Sequence, residues 1–418
     1  MEIQSIHKLY KETCLIDTDT RKIRKGSVFF ALKGDNFNGN KFVKQALDSG
    51  SRYCIIDEEE YYIDNRTILV EDSLKTLQFL ANYHRKELAI PIIALTGSNG
   101  KTTTKELINI VLETQFNTTA TFGNLNNHIG VPLTILSMNS KTEIGILEMG
   151  ANHLKEIEFL SEIAEPDYGY ITNFGKAHLE GFGSVDGVIK GKSELYQYLI
   201  KNNKIIFVNP NDQKQMEITK GAERVLLNTK ETLLSSTHPF LKISYQDTVI
   251  TTNLVGIYNF TNILAAISIG EYFKISKDNI KNAIENYTPT NNRSQIIKTK
   301  NNTILLDAYN ANPTSVELAL QSFNKIKHSN KIVILGDMFE LGKESQSEHQ
   351  NIVDLTSEFI FSKALFVGEN FYKSSANTSF LNFEELKVYL DKNAILDSYI
   401  LIKGSRGMAL ERLLGIIN

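Results

Sequence analysis

Residues 97–106, GSNGKTTTKE, set two glycines ahead of a lysine and three threonines. Where such a loop joins a strand to a helix, its amides and the helix N-terminus point at an anion. Gly97 and Gly100 let the backbone approach a phosphate, Lys101 reaches the β and γ phosphates, and Thr102 offers Mg²⁺ an oxygen. The early glycine of the longer GxxxxGK[ST] loop would fall at Leu95, so the match is a shortened GxxGKT. A glycine-rich turn that binds nothing is the alternative, and the placement of GKT between strand and helix patterns speaks against it. Nucleotide binding is the expectation.

Five further stretches carry reactive residues. Glu148 closes the apolar run of GILEMGANH, where an open sheet presents ligand-binding groups at its carboxyl edge. There it either shares Mg²⁺ with Thr102 or lies solvated in a loop. His178, in YITNFGKAHLEGFGS, repeats that placement; a lone histidine is more often structural than a ligand. Lys192, in IKGKSELYQYL, reads by default as a surface lysine. In LLDAYNANPTS, Asp307 and Asn310 follow an apolar run and precede a helical pattern, a placement suited to ribose or base. Ser405, in IKGSRGMALE, reads as a helix cap, with contact to an acidic substrate as the alternative.

The elements that must position these groups follow from apolar periodicity. Runs at Val28 to Leu32, Tyr53 to Ile56 and Ile68 to Val70, with a helical pattern from Leu74 to Arg85, predict a small N-terminal α/β domain over residues 1–88. After Pro91, runs at Ile92 to Leu95, Ile144 to Leu147, Tyr168 to Thr172 and Ile205 to Asn209 alternate with helical segments. That alternation predicts a mostly parallel sheet covered on both faces, in a central ATP-binding domain over 89–292. The polar cluster NYTPTNNRSQ at 286–295 marks a linker. Runs at Thr303 to Leu306, Ile332 to Leu335, Ala364 to Val367 and Ile400 to Ile402 predict a doubly wound, Rossmann-like domain over 293–418.

At 418 residues the chain exceeds one ordinary core, and 42% hydrophobic with 22% charged residues is the composition of a globular protein. A net charge of −3 provides no field for nucleic acid or anionic lipid, so an anionic ligand needs a local site. Cys14 and Cys54 are too few for a zinc motif or disulfide framework and are expected to be buried free thiols. MEIQSIHKLYKET lacks a basic-then-apolar signal pattern and no run approaches a membrane span, so no membrane insertion and a cytosolic location are expected.

Together, eight stretches resemble the Mur ligases over nearly the whole chain. They are DTRKIRKGSVFFALKGDNFNG (19–39), TGSNGKTTTKE (96–106), GNLNNHIGVPLT (123–134), EMGANH (148–153), NFGKAHLEGFGS (173–184), DAYNANPTS (307–315), LGDMFELG (335–342) and KGSRGMALE (403–411). The shortened phosphate loop is that family's own form. GNLNNHIGVPLT, EMGANH, DAYNANP and LGDMFELG resemble the branch that adds D-alanyl-D-alanine to a UDP-N-acetylmuramoyl-tripeptide. The resemblance implies an ATP-dependent peptide ligase, a monomer with UDP-sugar, ATPase and Rossmann-like domains, that works through an acyl phosphate.

The family's roles are implied one position at a time. Gly97, Ser98, Asn99, Gly100, Lys101, Thr102 and Thr103 would cradle ATP, with Asn259, Arg293, Asp307 and Asn310 meeting the nucleotide. Thr102 and Glu148 would hold one Mg²⁺, and His178 with Lys192 a second, Lys192 as a carbamate. A free lysine is neutral in only about 0.04% of molecules at pH 7, so its surroundings must favour the modified form. Thr20, Arg21, Asn126 and Asn127 would meet the UDP-sugar. Tyr258 stands where many members carry histidine, Asn292 where glycine is common and Asn40 where histidine is common. Another acid–amino-acid ligase, such as the tripeptide-forming Mur ligase or folylpolyglutamate synthase, is the nearest alternative; the DNPR-like motif of the former is missing. A P-loop switch protein would need the longer loop and an NKxD motif, both missing.

Overall fold

The computed structural model describes residues 2–417 as three α/β units around parallel sheets. The N-terminal sheet has four parallel strands in the order Ile16–Asp17, Val28–Phe30, Tyr53–Ile56 and Thr67–Leu69. Covered on both faces, Val28–Phe30 is buried at every position. Phe30 and Ile55 pack under the helix Ser73–Leu88, while Phe29, Cys54 and Ile56 pack on the opposite face against Val43 and Ala46. The helix begins where the Asp72 carboxylate accepts from Lys75 N and ends at Ala89 in the left-handed region. Burial pushes the Cys54 thiol up to about 12. Cys14 corrects the expectation of two buried thiols: it lies exposed in the turn after the first helix.

The central sheet is parallel throughout, in the order Arg224–Leu226, Ile205–Val208, Tyr168–Ile171, Ile92–Thr96, Ile144–Glu148 and Thr118–Ala120. Ile92–Thr96 lies inside it, and Leu95 pairs with Glu148 while Thr96 pairs with Ile171. The carboxyl ends of three strands therefore open side by side. Helices Lys101–Leu112 and Asn259–Tyr272 cover one face; Glu156–Ala164 and Val185–Lys201 cover the other. An antiparallel meander of Thr232–Ser236, Lys242–Tyr245 and Thr248–Thr251, which periodicity did not predict, precedes Asn259–Tyr272. Only alternate residues of these short strands are buried, too weak a stripe to stand out.

The C-terminal sheet runs Gln295–Lys298, Asn302–Asp307, Ser398–Lys403, Lys331–Gly336, Lys363–Val367 and Ser379–Phe380. Every pair is parallel except the first, an edge hairpin. No helix among the described residues is long and apolar enough to cross a membrane.

Candidate active site

The carboxyl edges of the central and C-terminal sheets meet around a cavity of about 750 Å³. Its floor is the phosphate loop. Gly97 and Gly100 take φ of +140° and +79°, where a side chain is strained. A Cβ at Gly97 would stand 2.0 Å from Thr172 Oγ1, and one at Gly100 would stand 2.6 Å from Asn262 Oδ1. Gly100→Ala is therefore expected to raise the KM for ATP at least tenfold with little change in fold, since strain and clash of about 1–3 kcal/mol fall on the loop and on the Asn262 side chain beside it. Titration with an ATP analogue and a thermal melt check this.

Hydrogen bonds fix the loop. Ser98 Oγ donates to Gly175 O at 3.0 Å and accepts from Gly175 N at 2.9 Å. The Asn99 amide, expected to face phosphate, instead donates to Asn173 Oδ1 at 3.1 Å and serves the loop's shape. The first turn of Lys101–Leu112 leaves amides without a partner inside the helix, an arrangement that suits an anion. Lys101 Nζ leans back on the Gly97 and Ser98 carbonyls, at 2.8 and 3.4 Å. Burial lowers its pKa, Glu148 opposes this, and nearby Arg293 adds to it.

Glu148 has one oxygen engaged and one not. Oε1 accepts from Asn126 Nδ2 at 2.8 Å, while Oε2 is buried with no hydrogen-bond partner. A buried carboxylate oxygen left without a proton donor is costly unless a cation faces it. With Thr102 in the same wall, these two oxygens fit Mg²⁺, which prefers hard oxygen ligands.

His178 lines the cavity at a left-handed position, φ +52°. Its Nδ1 meets Glu340 Oε2 of the C-terminal unit in a close ion-pair contact that lacks the alignment of a directed hydrogen bond. Lys192 departs from the surface reading: it is 0% exposed. Its Nζ donates to Ala151 O at 2.8 Å and lies 5.0 Å from the Phe182 ring centre, just behind the cavity wall. Burial, reinforced by Lys101, drives its pKa well below the usual lysine range, with Glu156 and Glu194 opposing.

The C-terminal unit supplies the roof. Arg293 stacks 3.7 Å from the centre of the Tyr309 ring and its Nε is buried without a partner. Asp307, expected to hold ribose or base, lines the cavity, with Oδ1 accepting from Ser294 N at 3.1 Å and Oδ2 from Lys403 Nζ at 2.6 Å. It braces the linker that carries Arg293. Asn310 lines the cavity and gives its carbonyl to Lys403 at 3.2 Å. Tyr258, at the position where histidine is common, lines the cavity too, and its hydroxyl bonds Ser294 Oγ at 2.8 Å. Asn259 Oδ1 accepts from Asn262 Nδ2 at 2.8 Å, and Asn127 Oδ1 accepts from Gly130 N at 2.9 Å.

Thr20 and Arg21 do not line the cavity; Arg21 is exposed and paired with Asp19 at 2.8 Å. Ser405 caps no helix by its side chain and instead accepts from Phe339 N at 2.9 Å. Lys403 and Asn312 are among the lining residues that had not been singled out. Asn312 Nδ2 donates to Asn99 Oδ1 at 2.7 Å, a direct bond from the C-terminal unit to the phosphate loop. Both sit in stretches already marked, DAYNANPTS and KGSRGMALE, so the stretch pointed to them and the residue type did not.

Comparison with known proteins agrees with this geometry. The chain matches the Mur ligase family catalytic domain over residues 14–85, the Mur ligase middle domain over 95–270 and the Mur ligase glutamate ligase domain over 292–406. It is 34% identical to the UDP-N-acetylmuramoyl-tripeptide–D-alanyl-D-alanine ligase of Bacillus subtilis (strain 168), over 97% of this chain and 93% of that one. The crystal structure of MurF from Acinetobacter baumannii superposes with a TM-score of 0.85 at 28% identity, covering 98% of this chain and 97% of that one. MurF ligase of Thermotoga maritima, solved in complex with ADP, gives 0.84 at 25% identity, covering 97% of both chains. With three family domains matched in order along most of its length, the chain belongs to the Mur ligase family.

Proposed function

We propose that this chain joins D-alanyl-D-alanine to a UDP-N-acetylmuramoyl-tripeptide at the expense of ATP, through an acyl phosphate, as a cytosolic monomer. The observation that carries this reading is a single cavity walled by the phosphate loop, the Glu148 edge and the C-terminal DAYNANPTS loop, large enough for a nucleotide beside an acceptor. The names of full-length relatives agree with it. A division into UDP-sugar-binding, ATP-binding and Rossmann-like domains at 1–88, 89–292 and 293–418 follows from the same reading, with Thr20, Arg21, Asn126 and Asn127 assigned to the UDP-sugar.

In the first step a carboxylate oxygen of the tripeptide attacks the γ-phosphorus and ADP leaves. In the second the dipeptide amine attacks the acyl carbon, loses its proton and displaces phosphate. Lys101 and the helix N-terminus neutralise the phosphate oxygens, and Arg293 adds positive charge from the roof. Thr102 and Glu148 would hold a Mg²⁺, which would supply neutralisation of the triphosphate's negative charge. Because the roof bonds to the floor through Asn312 and Asn99, the two reactants meet in fixed geometry.

Lys192 and His178 are assigned to a second Mg²⁺. A neutral amine is the form that adds to CO₂, giving a carbamate and releasing one proton, and burial of Lys192 favours that form. The carbamate would place hard oxygens beside Ala151, which lines the cavity.

Phosphate release from ATP with UDP-N-acetylmuramoyl-tripeptide is expected to depend on D-alanyl-D-alanine. Should meso-diaminopimelate or lysine be joined to the corresponding dipeptide at a higher specificity constant, the reading is wrong.

A further inference from the structure

We infer that Glu106, on the helix that follows the phosphate loop, is a positioning residue for Arg293: it grips the linker between the central and C-terminal units and so sets where the guanidinium stands over the loop. Only its effect on ligation rests on the proposed ligase reading.

Glu106 holds the linker at two points. Its Oε2 accepts from the Tyr287 hydroxyl at 2.5 Å, and its Oε1 from Asn291 Nδ2 at 3.0 Å. The carboxylate lies in the second turn of Lys101–Leu112, so the linker is fastened to the rigid element whose first residue is Lys101. Lys105 beside it is engaged elsewhere: its Nζ donates to Thr121 O at 2.8 Å and stays 3.7 Å from Glu106 Oε1. Tyr287 is also fixed from behind, where Asn253 Nδ2 donates to Glu285 O at 2.9 Å and to Tyr287 O at 3.2 Å. Burial, and next the facing Glu106, raise the pKa of the Tyr287 hydroxyl, which keeps its proton and donates.

The far side of the linker is held by the C-terminal unit. Asp307 accepts from Ser294 N, and Tyr309 N donates to Asn292 O at 3.2 Å. Arg293 sits between Asn292 and Ser294, which take φ of +57° and +51°, conformations that persist only where the surroundings impose them. Two residues of chain span at most about 7 Å, so a slip at Asn291 passes directly to Arg293. The guanidinium stacks on the Tyr309 ring, and its Nε is buried without a partner in the wall of the cavity that Lys101 also lines. Stacking sets the tilt of that group; the linker sets its height above the loop. Glu106 therefore ties the charge in the roof to the helix that carries the charge in the floor.

The test uses the full-length enzyme and a non-hydrolysable ATP analogue. Glu106→Ala leaves both linker donors without an acceptor; it is expected to weaken analogue binding about tenfold and to lower kcat for ligation by about 10–100-fold. Arg293→Ala alone weakens binding by about the same factor. In the Arg293→Ala background, Glu106→Ala adds less than about twofold, because the group it positions is gone. Glu106→Gln loses the charge facing Lys105 yet keeps an oxygen for Tyr287. Its amide nitrogen meets Asn291 Oδ1, which is buried and unpartnered, once the Asn291 amide turns over. Binding by Glu106→Gln therefore stays within about threefold of the wild type. Should Glu106→Ala melt early, Tyr287→Phe combined with Asn291→Ala cuts the same clamp from the linker side and carries the same expectation. Multiplicative losses from Glu106→Ala and Arg293→Ala, or a Glu106→Gln enzyme as impaired as Glu106→Ala, would overturn the inference. If the wild type joins no D-alanyl-D-alanine, the ligase reading fails while the binding cycle still decides the role of Glu106.

Discussion

Lys101→Ala is expected to lower ligation by about 10²–10³-fold, some 2.7–4 kcal/mol of transition-state stabilisation, while the thermal melt stays near that of the wild type. The ammonium stands at the head of the phosphate-binding helix, beside Glu148 and within the field of Arg293. Without nucleotide it rests on two loop carbonyls, and burial works against its charge. A bound triphosphate reverses that balance, because the phosphate oxygens supply the counter-charge that the empty loop lacks. Deleting the side chain removes positive charge where negative charge grows during phosphoryl transfer, and leaves a void that water fills. Lys101→Arg is not an equivalent replacement, since a planar fork cannot follow the contacts of a compact ammonium. The check is single-turnover phosphate release beside a melt; a folded Lys101→Ala enzyme with near wild-type turnover contradicts the assignment.

The second large effect is at Lys192. Lys192→Ala is expected to lose about 10² in kcat, and short carboxylates such as acetate or propionate restore part of it by occupying the vacated space. Lys192→Met tests the same idea with the packing kept: it fills the volume, carries no amine and stays inactive, with no gain from added carboxylate. The physical ground is that an ammonium fully removed from solvent, with a single carbonyl partner, is costly, whereas a neutral amine or its carbamate is not. Mass measurement on enzyme held in bicarbonate is expected to show the addition of one CO₂. Full activity of a folded Lys192→Ala enzyme removes Lys192 from the site.

Much of this protein was readable residue by residue, because local pattern and burial agree there. Tyr53–Ile56 and Ile144–Glu148 are continuous apolar runs, the signature of strands covered on both faces, and they form where the runs lie. GSNGKT declares its own geometry, since the two glycines at positive φ are the positions a side chain would block. The eight motif stretches carried the family and with it the reaction. Other features lacked any local mark. Half-buried strands such as Thr232–Ser236 bury too few residues to rise above a polar background. Lysine defaults to the surface by type, and nothing beside Lys192 in the chain says that Ala151 and Phe182 pack over it.

What the sequence by itself determined is the set of local structures and chemical groups: a strand, a phosphate loop, a helix, and carboxylate, imidazole and amine at the ends of apolar runs. Those follow from backbone preference and side-chain type, which act over a few residues. Only the tertiary structure decided which groups are free to act. Asp307 is held by Ser294 and Lys403, the Asn99 amide is committed to Asn173, and Glu148 keeps one oxygen unpaired. Such assignments depend on partners far away along the chain, as in the bond from Asn312 to Asn99 across 213 residues. Hydrogen bonding and desolvation are set by what surrounds a group in space, so the same carboxylate becomes a brace or a cation ligand according to where the chain returns.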